Sequence, residues 1–136
     1  MEIKPAATTY PLDEGIAYLD ARHITHLARH THDAYVLGMI DRGTAGTYYQ
    51  GETHFLTPGS VMILNPGEVH SGYEPNGETF SYRLLYIEPE TFRETLSEEA
   101  FLPFFKNILI DESRWARRLR GLFGLLGGEA LTFIPQ

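Results

Sequence analysis

The chain has 136 residues, of which 11 are basic and 18 acidic, giving a formal charge of −7, and it contains no cysteine. This excludes disulfides, thiolate chemistry and cysteine-type zinc sites, and argues against nucleic-acid binding by this chain itself, which needs clustered Lys and Arg. With 43% hydrophobic and 21% charged residues and no apolar run of membrane-spanning length, it reads as one globular domain, expected in a reducing cytoplasm.

Residues 1–15 contain Pro5 and Pro11 and no periodic pattern, and read as an N-terminal arm. Ile16–Arg22 predicts a first strand, followed by a loop through His23 and His26. Tyr35–Ile40 predicts an apolar strand stopped by Asp41-Arg42-Gly43. Thr47–Tyr49 and Thr53–Leu56 flank Gln50-Gly51-Glu52, the pattern of a hairpin. Val61–Leu64 lies between the turns Thr57-Pro58-Gly59-Ser60 and Asn65-Pro66-Gly67. It is too short for a helix, so it predicts a fully buried strand that delivers His70 beyond its exit. Gly72–Gly77 reads as a polar loop and Thr79–Ile87 as the longest strand. Turn signals recur about every ten residues from Gly43 to Gly77, as in a sandwich or small barrel.

The pattern changes at Pro89, where Glu88-Pro89-Glu90-Thr91 suits a helix start. Ser97-Glu98-Glu99 is a candidate cap before Pro103, and Asn107–Ile110 another strand or an extended link. From Asp111 the spacing is helical. Trp115, Leu119, Leu122, Phe123 and Leu126 fall on one stripe, and Arg114, Arg117, Arg118 and Arg120 lie largely off it as a solvated face. Gly127-Gly128 ends that helix. The organisation expected is an arm (1–15), a β-rich body with short helices after residue 88 (16–110), and the start of a helical segment (111–136).

The sharpest chemical constellation is His30, His32 and His70. In an extended segment His30 and His32 point the same way, and a third imidazole from a facing strand completes a set able to hold a metal. The spacing resembles the two motifs of the cupin superfamily, His-x-His with a following Glu, then a Pro/Gly turn leading to His. Val36 or Leu37 occupies the Glu slot, so no resident metal or other cofactor is expected, with His30, His32 and His70 as the alternative metal set. Tyr48, Tyr49, Tyr82 and Tyr86 fit either the wall of a ligand cavity or ordinary barrel packing. Spacing supports no Ser-His-Asp arrangement, and no phosphate loop is present.

Several segments together resemble the N-terminal effector-binding and dimerisation domain of AraC/XylS-type bacterial transcription regulators. They are His30-Thr31-His32-Asp33-Ala34-Tyr35, Asp41-Arg42-Gly43, Leu56-Thr57-Pro58-Gly59, Leu64-Asn65-Pro66-Gly67-Glu68-Val69-His70 and Tyr86-Ile87-Glu88-Pro89-Glu90. The resemblance implies a cupin-like double-stranded β-helix (jelly-roll) barrel followed by C-terminal helices. It implies a small-molecule effector, sugar or small aromatic, in a pocket of roughly a few hundred Å³, with His30, His32, His70, Tyr82 and Leu84 around it. It implies a homodimer through Trp115, Leu119, Leu122, Phe123 and Leu126, and DNA contact only through a domain with two helix-turn-helix motifs outside this chain. The chain is accordingly expected to be a fragment or a short natural form. The competing expectations are a stand-alone metal-dependent cupin enzyme, isomerase or dioxygenase, and a barrel serving only as scaffold for the helix.

Overall fold

The computed structural model describes residues 4–96 and 102–127. Nine strands and two helices form there: β1 (Ala6–Asp13), β2 (Ile16–Ile24), β3 (His26–His30), β4 (Tyr35–Arg42), β5 (Ala45–Tyr49), β6 (Glu52–Leu56), β7 (Val61–Leu64), β8 (His70–Tyr73), β9 (Phe80–Ile87), α1 (Pro89–Leu96) and α2 (Ser113–Gly127). A five-stranded sheet ordered β1-β2-β9-β4-β7 packs on a four-stranded sheet ordered β3-β8-β5-β6, and all pairings between these strands are antiparallel. This is the double-stranded β-helix barrel that the resemblance implies, and it falls within the sandwich-or-small-barrel class that the turn spacing indicates.

Alternation of side chains decides the two faces of the larger sheet. Val36 and Ile40 of β4, Met62 and Leu64 of β7, and Phe80, Tyr82 and Leu84 of β9 join Ala45, Tyr49 and Leu56 in the core between the sheets. Their neighbours Met39, Val61 and Leu85 turn outward into a second cluster with Tyr18, Ala116 and Phe123, under α2. Both faces of β7 are therefore covered, so all four of its residues are buried, as the uninterrupted apolar run predicts. The hairpin turn at Gln50-Gly51 has positive φ at both residues (53° and 79°), matching the twist that a two-residue loop between antiparallel strands requires.

Several boundaries differ from the sequence expectation. His23 is not in a loop but inside β2, in the left-handed region (φ 59°), at a bulge where its N–H donates to Ser81 Oγ at 3.2 Å. His26 starts β3. His70 opens β8, which runs on through Gly72 and Tyr73, so the polar loop begins later than expected. Composition hid this strand because its pairing with β3 and β5 depends on partners far along the chain. Within the expected arm, β1 forms an antiparallel pair with β2 and is the exposed edge of the larger sheet. Around Leu109 the chain makes a single bridge to Met62, with bonds from Ile63 N to Ile108 O and from Ile110 N to Val61 O, so Asn107–Ile110 is an extended link laid along β7. The cap expected at Ser97-Glu98-Glu99 and the stop at Gly128 lie outside the described residues.

The stripe expected on α2 is divided between two faces. Ala116 and Phe123 are buried against the barrel with Leu119 and Leu126 packed beside them, while Trp115 and Leu122 are exposed. The contact row is 116, 119, 123, 126, spaced as one helical face. Complete burial of a side chain the size of Phe123 contributes about 1.5–3 kcal/mol. A polar clamp adds to it: Arg83 on β9 donates from Nε and Nη2 to the two carboxylate oxygens of Asp41 at 2.8 and 2.7 Å, and from Nη1 to the Phe123 carbonyl of α2.

Replacing Arg83 with Met keeps the stem but leaves Asp41 and the Phe123 carbonyl without their donor. We expect a stability loss of about 2 kcal/mol in urea unfolding, below the range for a fully buried pair because Asp41 is partly hydrated. Arg83→Lys should recover less than half of it, because an ammonium does not make the two-pronged contact. A loss under about 0.5 kcal/mol would mean that water already screens the pair.

Candidate functional site

Three histidines far apart in local structure meet because separate constraints bring each to one point. His30 ends β3, and the β3–β8 register sets it opposite His70. His32 follows in the loop before β4, where its carbonyl accepts a 2.8 Å bond from the Gly67 N–H. That bond ties the loop to the Asn65-Pro66-Gly67 turn. The turn is itself fixed by buried Asn65, whose Nδ2 donates to Glu68 Oε1 at 2.9 Å and to the Phe105 carbonyl at 2.8 Å, while its Oδ1 accepts from the Phe105 N–H at 2.8 Å. Tyr49 donates to the same Glu68 oxygen at 2.8 Å. A fully partnered buried network of this kind holds its members in one arrangement.

The imidazole nitrogens that face one another lie within 4.8 Å. His30 Nε2 and His32 Nε2 are 3.1 Å apart, and ring centroids are separated by 4.2 Å (His30–His70) and 5.2 Å (His32–His70). Tyr86 packs against His32 at 5.1 Å. Carbonyl oxygens only accept, so His30 Nδ1 carries a proton for Ala28 O (2.5 Å) and His70 Nδ1 carries one for Glu68 O (3.4 Å). Burial pushes the His70 pKa down to about 4, helped by the neighbouring His30 and His32 and opposed by the Glu68 carbonyl. Burial also lowers His32, assisted by His30 and opposed by Asp33.

The cluster stands at the wall of the cavity between the sheets. His30, His32, His70, Tyr82 and Leu84 all line it, as does Val36 from the Glu slot, together with residues that spacing did not single out, among them Thr47 and Met62. The period-2 rule applied outward from Tyr82 and Leu84 reaches Phe80 and Tyr86, which line it too. Tyr48, by contrast, is exposed on the outer face, and Tyr49 serves the Asn65 network. His23, His26 and His54 stay away from the cavity lining. Burial raises the Tyr82 pKa to about 12 and raises that of Tyr86 as well.

The cavity volume is about 50 Å³, well short of the few hundred expected. A Cβ on Gly38 would lie 2.6 Å from Leu84 Cδ2 and 2.7 Å from Met62 Cε, so those two cavity-lining side chains occupy the space above a residue that has none. Three neutral imidazoles fit a divalent transition metal as one face of its coordination shell. Of the two candidates for the missing carboxylate position, Val36 lines the cavity and offers only hydrocarbon, and Leu37 packs in the cluster under α2.

Three comparisons bear on this geometry. The sequence profile of the family described as the AraC-like ligand binding domain matches residues 15–133. A relative from Bacillus subtilis (strain 168), described as the uncharacterised HTH-type transcriptional regulator YbfI, is 28% identical over 113 residues, covering 69% of this chain and 41% of the relative. The chain thus spans about two-fifths of that protein's length. Among solved structures, a cupin superfamily protein from Desulfitobacterium hafniense DCB-2 superposes with a TM-score of 0.58 at 11% identity, over 65% of this chain and 81% of that one. The Cupin_2 domain of an XRE family transcriptional regulator from Enterobacter cloacae superposes with a TM-score of 0.56 at 16% identity, over 62% and 97%. These last two establish the fold.

Depressed histidine pKa values carry a sign for stability. Unfolded chains protonate His70 near pH 6.5, whereas the folded protein resists until about pH 4. The contribution is fully present above pH 6.5 and is lost as pH falls toward 4, up to about 3 kcal/mol for His70, with His32 acting in the same direction. Unfolding free energies measured from pH 7 to pH 4 should fall more steeply for the wild type than for His70→Gln. Parallel profiles would place the titration elsewhere.

Proposed function

The chain belongs to the AraC-like ligand binding domain family, and on that premise we propose that the barrel cavity is the effector site of a cytoplasmic transcription regulator. A small molecule enters among His30, His32, His70, Tyr82 and Leu84, and DNA is contacted by a separate DNA-binding domain of the full-length protein. The observation that carries this is the double duty of β9: Tyr82, Leu84 and Tyr86 line the cavity, while Arg83 and Leu85 hold α2 from the other face. An occupant that shifts β9 acts on the helix through the next residue along. The function is binding, not catalysis.

A second reading draws on the imidazoles. His30, His32 and His70 would hold a divalent metal through ring nitrogens, and the metal would supply a Lewis-acid site for a ligand or substrate oxygen, as in a stand-alone cupin enzyme. The two readings separate in one experiment, a thermal-shift screen of a small-molecule library with elemental analysis of the same protein. Effector binding raises the melting temperature by mass action, and Ala45→Leu, which fills the cavity, should abolish the shift. A hit that survives Ala45→Leu binds elsewhere. One metal ion per chain, lost together with ligand binding in His70→Gln, would favour the metal reading.

We also propose that α2 pairs two copies. Trp115, Leu122 and Leu125 form an exposed row at i, i+7 and i+10, with Phe104 exposed as well, while Leu119, Phe123 and Leu126 are committed to the barrel. The guanidiniums of Arg114 and Arg118 sit 5.1 and 5.2 Å from the Trp115 ring, leaving the apolar row flanked by positive charge. Twofold pairing buries such a row with itself. Sedimentation at micromolar concentration should show a dimer for the wild type and a monomer for Leu122→Glu/Leu125→Glu. A wild-type monomer would overturn the assignment.

A further inference from the structure

Hydrogen-bond direction in the histidine cluster restricts what the cavity accepts. Each neutral imidazole has one N–H, and in His30 and His70 it is at Nδ1, spent on a backbone carbonyl. Their Nε2 atoms are therefore bare acceptors. The 3.1 Å contact between His30 Nε2 and His32 Nε2 then needs the proton on His32, which uses up the His30 lone pair. Where the three rings meet, His70 Nε2 is the acceptor left open, while the remaining lone pair of His32 is at Nδ1, on the far side of its ring from His30. Around His70 Nε2 the cavity wall is mostly hydrocarbon and aromatic, with hydroxyls from Thr47, Ser71, Tyr82 and Tyr86 and no Asp, Glu, Lys or Arg among the described lining residues.

These facts exclude ligand classes in turn. A carboxylate would be buried without a cation to meet it, beside a nitrogen lone pair that repels it. An ammonium finds the lone pair but no carboxylate. A sugar would press several hydroxyls against Leu27, Ile40, Leu56 and Leu64, where each loses its water partners. A cavity of about 50 Å³ has room for only a few water-sized groups, so the ligand is at most one ring, and even that requires the flexible Met62 thioether to swing aside. Resting on the reading of this cavity as the effector site, we propose that the effector is a monocyclic phenol, its hydroxyl donating to His70 Nε2 and its ring lying among Phe80, Tyr82 and Tyr86. The phenol oxygen in turn can accept from a tyrosine hydroxyl.

The test is calorimetry of the full chain, treated with chelator, against phenol, toluene, benzoate, benzylamine and xylose. Phenol is expected to bind and the other four to bind at least about tenfold more weakly, the share of one hydrogen bond in a dry site. His70→Phe, with its fold checked by its melting curve, should weaken phenol about tenfold, and phenol should move the ¹⁵N resonance of His70 Nε2 in the wild type. Toluene binding as tightly as phenol would overturn the role of His70. Tighter benzoate, benzylamine or xylose would overturn the ligand class and leave the effector cavity standing. Phenol binding that returns only when zinc is restored would assign recognition to a metal. Failure of all five probes would overturn the phenol assignment, and a library hit blocked by Ala45→Leu would show that the cavity reading itself survives.

Discussion

Everything in this domain hangs on the two-residue period of β9. Its inward residues are the wall of the cavity and its outward residues are the floor under α2. The strand is central in the larger sheet, paired with β2 on one side and β4 on the other, so it cannot slip by one residue without inverting both faces. The Arg83–Asp41 clamp reinforces that register. Asp41 sits at a bulge in β4, next to Ile40 in the cavity wall, so the clamp joins two cavity-lining strands to one helix carbonyl. Breaking the partly buried ion pair is costly because Asp41 and the Phe123 carbonyl would be left without their donor.

The histidine site has a different foundation. No single strand presents it. The β3–β8 register supplies His30 and His70, and a backbone bond from a Pro-Gly turn supplies His32. The turn is rigid because Asn65 is saturated with partners in a place where water cannot substitute. The imidazoles thereby keep fixed proton positions, and a site with fixed donors and acceptors discriminates more sharply than one that can reorient.

Much of this was legible in the residues. The buried β7, the Gln50-Gly51 hairpin and the long β9 follow from turn chemistry and alternation, whereas His32 reaches His30 and His70 from a loop and not by alternation along a strand. What escaped was non-local. β8 is four residues with a glycine and gains its identity only from the strands beside it. The α2 stripe was correct in period, but its residues divide between a row on the barrel and an exposed row, because spacing does not fix which neighbour each side of the helix meets. Trp115 and Leu122 each stand one residue, about 100°, around the helix from buried Ala116 and Phe123, a split that only the docked helix resolves. The small cavity was hidden for a similar reason, since nothing in the chain's local pattern announces that Leu84 and Met62 converge over Gly38.

The edge strand β1 has a consequence for how copies of the chain meet in solution. From Pro5 to Leu12 it bears no charge, and among the described residues one row of its backbone groups faces no neighbouring strand, the condition under which sheets polymerise edge to edge. Two prolines interrupt that row: Pro11 lies inside the strand and Pro5 immediately before it, each withholding an N–H that an incoming strand would need. A register break between Pro11 and Asp13 twists the edge further from planarity. Two missing N–H donors and a twisted edge thus work against open-ended pairing of copies along β1.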